Sequence, residues 1–183
     1  EKDEQLLLIT GDLGFGVLTD FARRFPRQYL NVGVAEQNMT GIAAGLAFEG
    51  RTVVTYSIAN FPTLRCLEQV RNDVCYHEAN VKIVAIGGGM SYGQLGITHH
   101  ATEDIAIMRA LPGMTVLVPG DLWEAEQATR AMLAERGPFY MRLDKSAAPP
   151  GVRPGETFSV GKFRMVRQGT DVTLIAAGGI LGE

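Results

Sequence analysis

A chain of 183 residues with 17 basic and 20 acidic side chains carries a net charge of −3, which leaves no broad basic surface for nucleic acid. With 46% hydrophobic and 20% charged residues it has the composition of a globular α/β protein, and no apolar run approaches the roughly 20 residues of a membrane span. Two cysteines and three histidines, in no ligand spacing, offer no metal site.

The predicted elements alternate along the chain. Apolar, β-branched runs at residues 6–10, 29–32, 52–56, 81–86, 115–118 and 139–143 read as strands. Helical patterns at 17–25, 35–49, 63–77, 103–110 and 122–136 fall between them. Such alternation with buried strands predicts an α/β fold: a six-stranded, mostly parallel sheet with helices on both faces. Gly50, Gly113 and Gly137 stand at helix exits, where a left-handed residue closes the last turn. In open sheets of this kind ligands sit beyond the carboxyl ends of the strands. The loops to watch are therefore 10–16, 33–38, 57–62 and 87–102. Residues 144–157, with three prolines and two glycines, read as a linker closing a domain of residues 1–143. Two further strands, 158–166 and 171–176, would open a second, incomplete α/β domain over 158–183. Cys66 and Cys75, nine apart in a helical region, read as reduced thiols of a cytoplasmic protein. The chain opens at Glu1 without a signal-peptide pattern, which suggests a natural start further upstream.

Four of the loops carry candidate chemistry. Asp12, in Gly11–Asp12–Leu13–Gly14, is either a site residue or a turn aspartate bonded to its own backbone. Glu36, in Val34–Ala35–Glu36–Gln37–Asn38, stands where a buried strand gives way to a small-residue helix. A carboxylate held there is partly desolvated and suited to exchanging a proton with a bound partner, or it serves the helix dipole. Phe61, in a loop after a strand and before Pro62–Thr63, can present its face to a planar ring or fill the core. Residues 87–96 hold five glycines in ten positions, too flexible for a helix, and lead into His99 and His100. Those imidazoles can move protons near neutral pH or bond to the acids Glu103 and Asp104 that open the next helix. Tyr92 and Gln94 line a pocket or are exposed loop residues. Gly11–Gly16 lacks the spacing of a dinucleotide fingerprint, and Gly87–Gly89 is not followed by the Lys of a phosphate loop.

The motif Gly33–Val34–Ala35–Glu36–Gln37–Asn38 resembles the glutamate motif in the pyrimidine-binding domain of transketolase-like, thiamine diphosphate-dependent enzymes, and the similarity runs from about Thr10 to Lys145. The resemblance implies that Glu36 hydrogen-bonds a ring nitrogen of the cofactor's aminopyrimidine and so activates the thiazolium carbon. It implies that Phe61 stacks on that ring, that Asp12 lies near the thiazolium side, and that Ile58 stands where many relatives have a second aromatic. His99 falls at the substrate, from the pattern Gly96–Ile97–Thr98–His99. His100 takes the place of a glutamine. Lys145, with Arg142 nearby, stands for an arginine that clamps sugar phosphate, and Gly16 and Gly87 replace a serine and a histidine of the family. The Gly-Asp-Gly and later asparagine that hold a divalent metal and the diphosphate in this superfamily do not occur here. The resemblance therefore implies that Mg²⁺ or another divalent ion is held by a diphosphate-binding N-terminal subunit, or by a missing N-terminal half. Active assemblies would be homodimers or heterotetramers. The implied reaction is transfer of a two-carbon ketol unit between sugars. Alternatives are decarboxylation of a 2-oxoacid, as in deoxyxylulose-phosphate synthase or the beta subunit of 2-oxoacid dehydrogenases, and a non-catalytic scaffold subunit.

Overall fold

The computed structural model describes residues 3–145 and 155–182. Six strands form one sheet: β1 (Leu6–Thr10), β2 (Tyr29–Asn31), β3 (Thr52–Ile58), β4 (Val81–Ile86), β5 (Thr115–Leu117) and β6 (Phe139–Leu143). Their order is β2-β1-β3-β4-β6-β5, and every pairing is parallel. The helices are α1 (Thr19–Arg24), α2 (Glu36–Phe48), α3 (Asn60–Thr63), α4 (Leu67–Gln69), α5 (Asp104–Ala110) and α6 (Leu122–Ala134).

The strand pleat divides the core in two. Ile9, Val53, Val81, Ile83, Ala85 and Tyr140 point to the face covered by α2, α5 and the helical segment 67–75. Small residues on α2 (Ala43, Ala44, Ala47) let that helix lie close to the sheet. Val84, Leu117, Phe139 and Met141 point to the opposite face, against Ala128 and Met132 of α6. On that second face the Lys82 side chain is fully buried and caps the end of α6. Its Nζ donates to the carbonyls of Glu135 (2.7 Å) and Gly137 (2.8 Å), orphan acceptors at the close of a helix. Among the described residues no helix is long and apolar enough to cross a membrane. Cys66 and Cys75 are buried and unbridged.

Three expectations shift. The helix expected at 63–77 starts earlier and is broken: α3 begins at Asn60, and Val70–Cys75 is wound as a π-helix. Pro62 causes no conflict because it lies in the first turn, where its missing N–H has no partner to lose. Strand β3 runs two residues further than expected, since Ser57 and Ile58 still pair with Ala85 and Ile86. The strands expected at 158–166 and 171–176 do not form, because neither segment finds a strand to pair with. Phe158 and Val160 pack instead on the α6 side of the core. Arg164 anchors the segment through Asp121 (3.2 Å), Glu124 (2.7 Å) and Glu156 (3.3 Å). Most of the linker expected at 144–157 lies outside the described residues.

Candidate functional site

Strands β1 and β3 are neighbours whose connections leave in opposite directions, β1 toward β2 and β3 toward β4. A crevice opens beyond the carboxyl ends of strands at such a switch point. Gly11 closes β1 there, and α3 follows β3 there. A Cβ on Gly11 would stand 3.2 Å from the Gly33 carbonyl and 3.7 Å from Cγ of Glu36, so the bare backbone makes room for the acid.

Glu36 is the first residue of α2, behind a turn that needs Gly33 at φ +75°. It is only 2% exposed. Its carboxylate turns toward α3 and accepts from Nη1 of Arg65 at 2.7 Å through Oε2. The Arg65 guanidinium also lies over the Phe61 ring, 4.4 Å from its centroid. His99 meets Phe61 in an edge-type contact, with centroids 5.3 Å apart. Tyr92 lies 6.0 Å from His99, and Nζ of Lys145 stands 4.4 Å over the Tyr92 ring. One line of contacts thus runs Glu36–Arg65–Phe61–His99–Tyr92–Lys145.

The glycine-rich loop is held from below. Gly89 and Ala101 exchange backbone hydrogen bonds, both 2.8 Å, and close the loop at its base. Asn60 Nδ2 donates to the Thr98 carbonyl and ties the loop to α3, while Asn60 Oδ1 is buried without a hydrogen bond. Thr98 Oγ1 lies 3.0 Å from Nδ1 of His99 and sets that ring's orientation. His100 bonds the Gly93 carbonyl through Nε2 at 2.9 Å, so it serves the loop itself. Gln94 is exposed on a 3-10 turn, Gly93–Leu95. A Cβ on Gly87 would clash with the Tyr92 ring: Tyr92 fills the space that a side chain at 87 would take.

Arg142 does not join the line of contacts. It is tucked under the loop, where a Cβ on Gly88 would strike its Nε, and that Nε lies 3.5 Å from Asp104 Oδ2 and 3.6 Å from Asp144 Oδ1. Tyr140 donates to the same Asp104 oxygen at 2.6 Å, and burial pushes the Tyr140 phenol far above its ordinary range. Asp12 stands apart too. It is exposed, holds φ +60°, and exchanges hydrogen bonds at 2.9 and 3.0 Å with the side chain of Asn31, which ends the neighbouring strand β2. Ile58 ends β3 opposite Ile86.

Two contributors escaped the sequence reading, Arg65 and Asn60. Arg65 had a signal: it follows Phe61 by four residues, the spacing that puts two side chains on one helical face. Cys66 sits behind them, its Sγ 3.4 Å from the Phe61 carbonyl, and burial chiefly pushes its thiol up to about 11. Among the described residues no three metal-ligating side chains come together. The set can hold a planar, nitrogen-bearing ring: a buried carboxylate, an aromatic face beside it, and a planar N–H cation already bridging the two.

Residues 1–150 match the family described as "Transketolase, pyrimidine binding domain". The chain is 38% identical over 179 residues to an apulose-4-phosphate transketolase subunit of Phocaeicola vulgatus, covering 97% of this chain and 57% of that protein. It is 40% identical over 181 residues to a putative transketolase C-terminal section of Methanocaldococcus jannaschii, with the same coverages of 97% and 57%. It is also similar to a solved structure titled "Split gene transketolase, inactive beta4 tetramer", at TM-score 0.86 and 36% identity, covering 98% of this chain and 58% of that one. The chain thus spans little more than half the length of these relatives.

Proposed function

This chain belongs to the transketolase family through its pyrimidine-binding domain, and from that membership we propose that it is the pyrimidine-binding part of a split, thiamine diphosphate-dependent enzyme that moves a two-carbon ketol unit between sugars. The observation that carries the reading is the buried Glu36 carboxylate beside the Phe61 face, bridged by a planar cation in the place a planar ring would take. When bound, the cofactor supplies the carbon nucleophile that takes up the two-carbon unit. Glu36 holds a proton on the carboxylate against a ring nitrogen of the aminopyrimidine, and Phe61 fixes the plane of that ring. His99 offers its Nε2 to donor hydroxyls. Lys145, over Tyr92, brings a cation to the substrate end, suited to a phosphate or another anion. Asp12, Ile58 and Gln94 edge the same crevice; His100 and Arg142 act through the loop that carries His99.

We assign the divalent ion and the diphosphate to a separate diphosphate-binding subunit or to an N-terminal half, in a homodimer or heterotetramer. What supports a covering partner is the apolar rim at the carboxyl ends of the strands: Phe15, Val17, Val34, Met90 and Ile97 are each at least 68% exposed. The exposed apolar residues Phe163, Met165, Val172 and Leu174 support reading 158–183 as the opening of a further domain after a linker. The unbridged cysteines support a cytoplasmic setting. Titration calorimetry with thiamine diphosphate and Mg²⁺, on this chain alone and mixed with a diphosphate-binding subunit, tests the reading. Binding only in the mixture, followed by ketol transfer, is the expected result. Carbon dioxide release from pyruvate would favour the decarboxylating alternative, and no binding in the mixture would leave a scaffold subunit.

A further inference from the structure

Resting on that ketol-transfer reading, we propose that Arg65 is a built-in occupant of the pyrimidine site, and that the cofactor's ring enters by displacing the Arg65 guanidinium. A guanidinium and an aminopyrimidine share the properties this site selects: both are planar, both stack on an aromatic face, and both hydrogen-bond the Glu36 carboxyl, the guanidinium by donating N–H to it and the ring nitrogen by sharing the carboxyl's proton. In this chain Arg65 makes both contacts at once, 2.7 Å to Glu36 Oε2 and 4.4 Å over Phe61. A second planar group cannot take that carboxylate oxygen and that ring face while the guanidinium holds them.

The arrangement also answers a physical problem of the empty site. Glu36 is 2% exposed, and a buried carboxylate without a partner is strongly destabilising. Arg65 neutralises it. The Arg65 side chain is itself 46% exposed, so its head can return to water along a path already open. It lies between the end of α3 at Thr63 and the start of α4 at Leu67, where the helix is interrupted. Glu36 is thus kept charged and aimed until the ring arrives, and the measured affinity for the cofactor is reduced by the work of moving Arg65.

The test uses the chain assembled with its diphosphate-binding subunit, titrated with thiamine diphosphate and Mg²⁺. Arg65→Met keeps the aliphatic stem and removes both competing contacts, and it should tighten Kd by about five- to tenfold, while Arg65→Lys, which keeps the charge but not the plane, should tighten it less. A second readout needs no cofactor. In urea unfolding of this chain, Arg65→Met should lower the midpoint when Glu36 is present and leave it unchanged in a Glu36→Gln background. Equal or weaker binding by Arg65→Met, or the same midpoint loss in both backgrounds, overturns the displacement while wild-type binding leaves the ketol-transfer reading intact. Failure of the wild-type assembly to bind overturns that reading and the proposal with it.

Discussion

Glu36→Gln should separate function from stability. Glutamine keeps the volume and the reach of the side chain and removes only its charge. Three terms change. The ion pair with Arg65 is lost, but Arg65 is 46% exposed and returns to water, so this costs about 0–1 kcal/mol. The acid in the first turn of α2 no longer complements the helix dipole, which costs roughly 0.3–1 kcal/mol. Against these, a 2% exposed carboxylate no longer has to be desolvated, a relief on the order of several kcal/mol for a buried ion. Losses of roughly 0.3–2 kcal/mol in all do not exceed that relief, so the variant should be at least as stable as wild type and its urea midpoint should not fall. Ketol transfer by the assembled enzyme should meanwhile fall by about 10³-fold or more, the scale of lost proton transfer. Urea unfolding followed by circular dichroism, with turnover measured on the same preparations, checks both. A midpoint that drops by about 1 M would mean that Glu36 serves its helix, and turnover within tenfold of wild type would remove it from the chemistry.

Other perturbations reach the scaffold. Tyr140→Phe removes a buried 2.6 Å hydrogen bond to the Asp104 carboxylate at constant shape, and should cost about 2 kcal/mol in chemical denaturation; a loss under about 0.5 kcal/mol would show that Asp104 rests on Arg142 alone. Burial pushes Lys82 down from 10.5 to about 8, so between those values the unfolded chain binds a proton that the folded chain has released. Lys82 therefore contributes a stability increment that rises with pH from 8 toward 10.5, opposed above 9 by the two raised thiols, so the wild-type stability minus that of Lys82→Met should grow with pH over this range; parallel curves for the two proteins would refute the assignment. Burial holds the Cys66 and Cys75 thiols up at about 11, so neither should react with iodoacetamide near neutral pH in the native chain and both should react in urea. Rapid native labelling, read by mass spectrometry, would contradict the packing around α3.

The sheet was legible because its strands are short β-branched runs with sharp ends, and parallel pairing follows from the helices between them; the strand order was not, since crossovers alone do not say which strands are neighbours. Glu36, Phe61 and His99 were legible by motif, and the structure gathers them at the β1/β3 switch point. Arg65 was not, because an arginine on a helix is ordinary until the fold shows which carboxylate it meets. Asp12 and Arg142 have partners that the sequence does not show either. One bonds to Asn31 at the end of the neighbouring strand β2, and the other is drawn inward by Asp104 and Asp144. The expected strands 158–166 and 171–176 have the right alternation and lack a neighbour. A strand is a property of a pair, and composition records only one member.

The loop that carries His99 shows how a glycine-rich segment can still position a side chain. Each glycine at its base surrenders volume that a larger neighbour fills: the Tyr92 ring lies where a side chain on Gly87 would be, and Arg142 lies where one on Gly88 would be. The freedom of the backbone is removed by what packs against it. Arg142 is in turn oriented by Asp104, and Asp104 by the buried Tyr140 on β6. The polar chain from Tyr140 on β6, two strands across the sheet from β3, through Asp104 to Arg142 therefore links the core to the base of the loop that carries His99. Rigidity at the substrate end comes from this buried support, while the cofactor end, with Arg65 half in water, keeps a side chain that can leave.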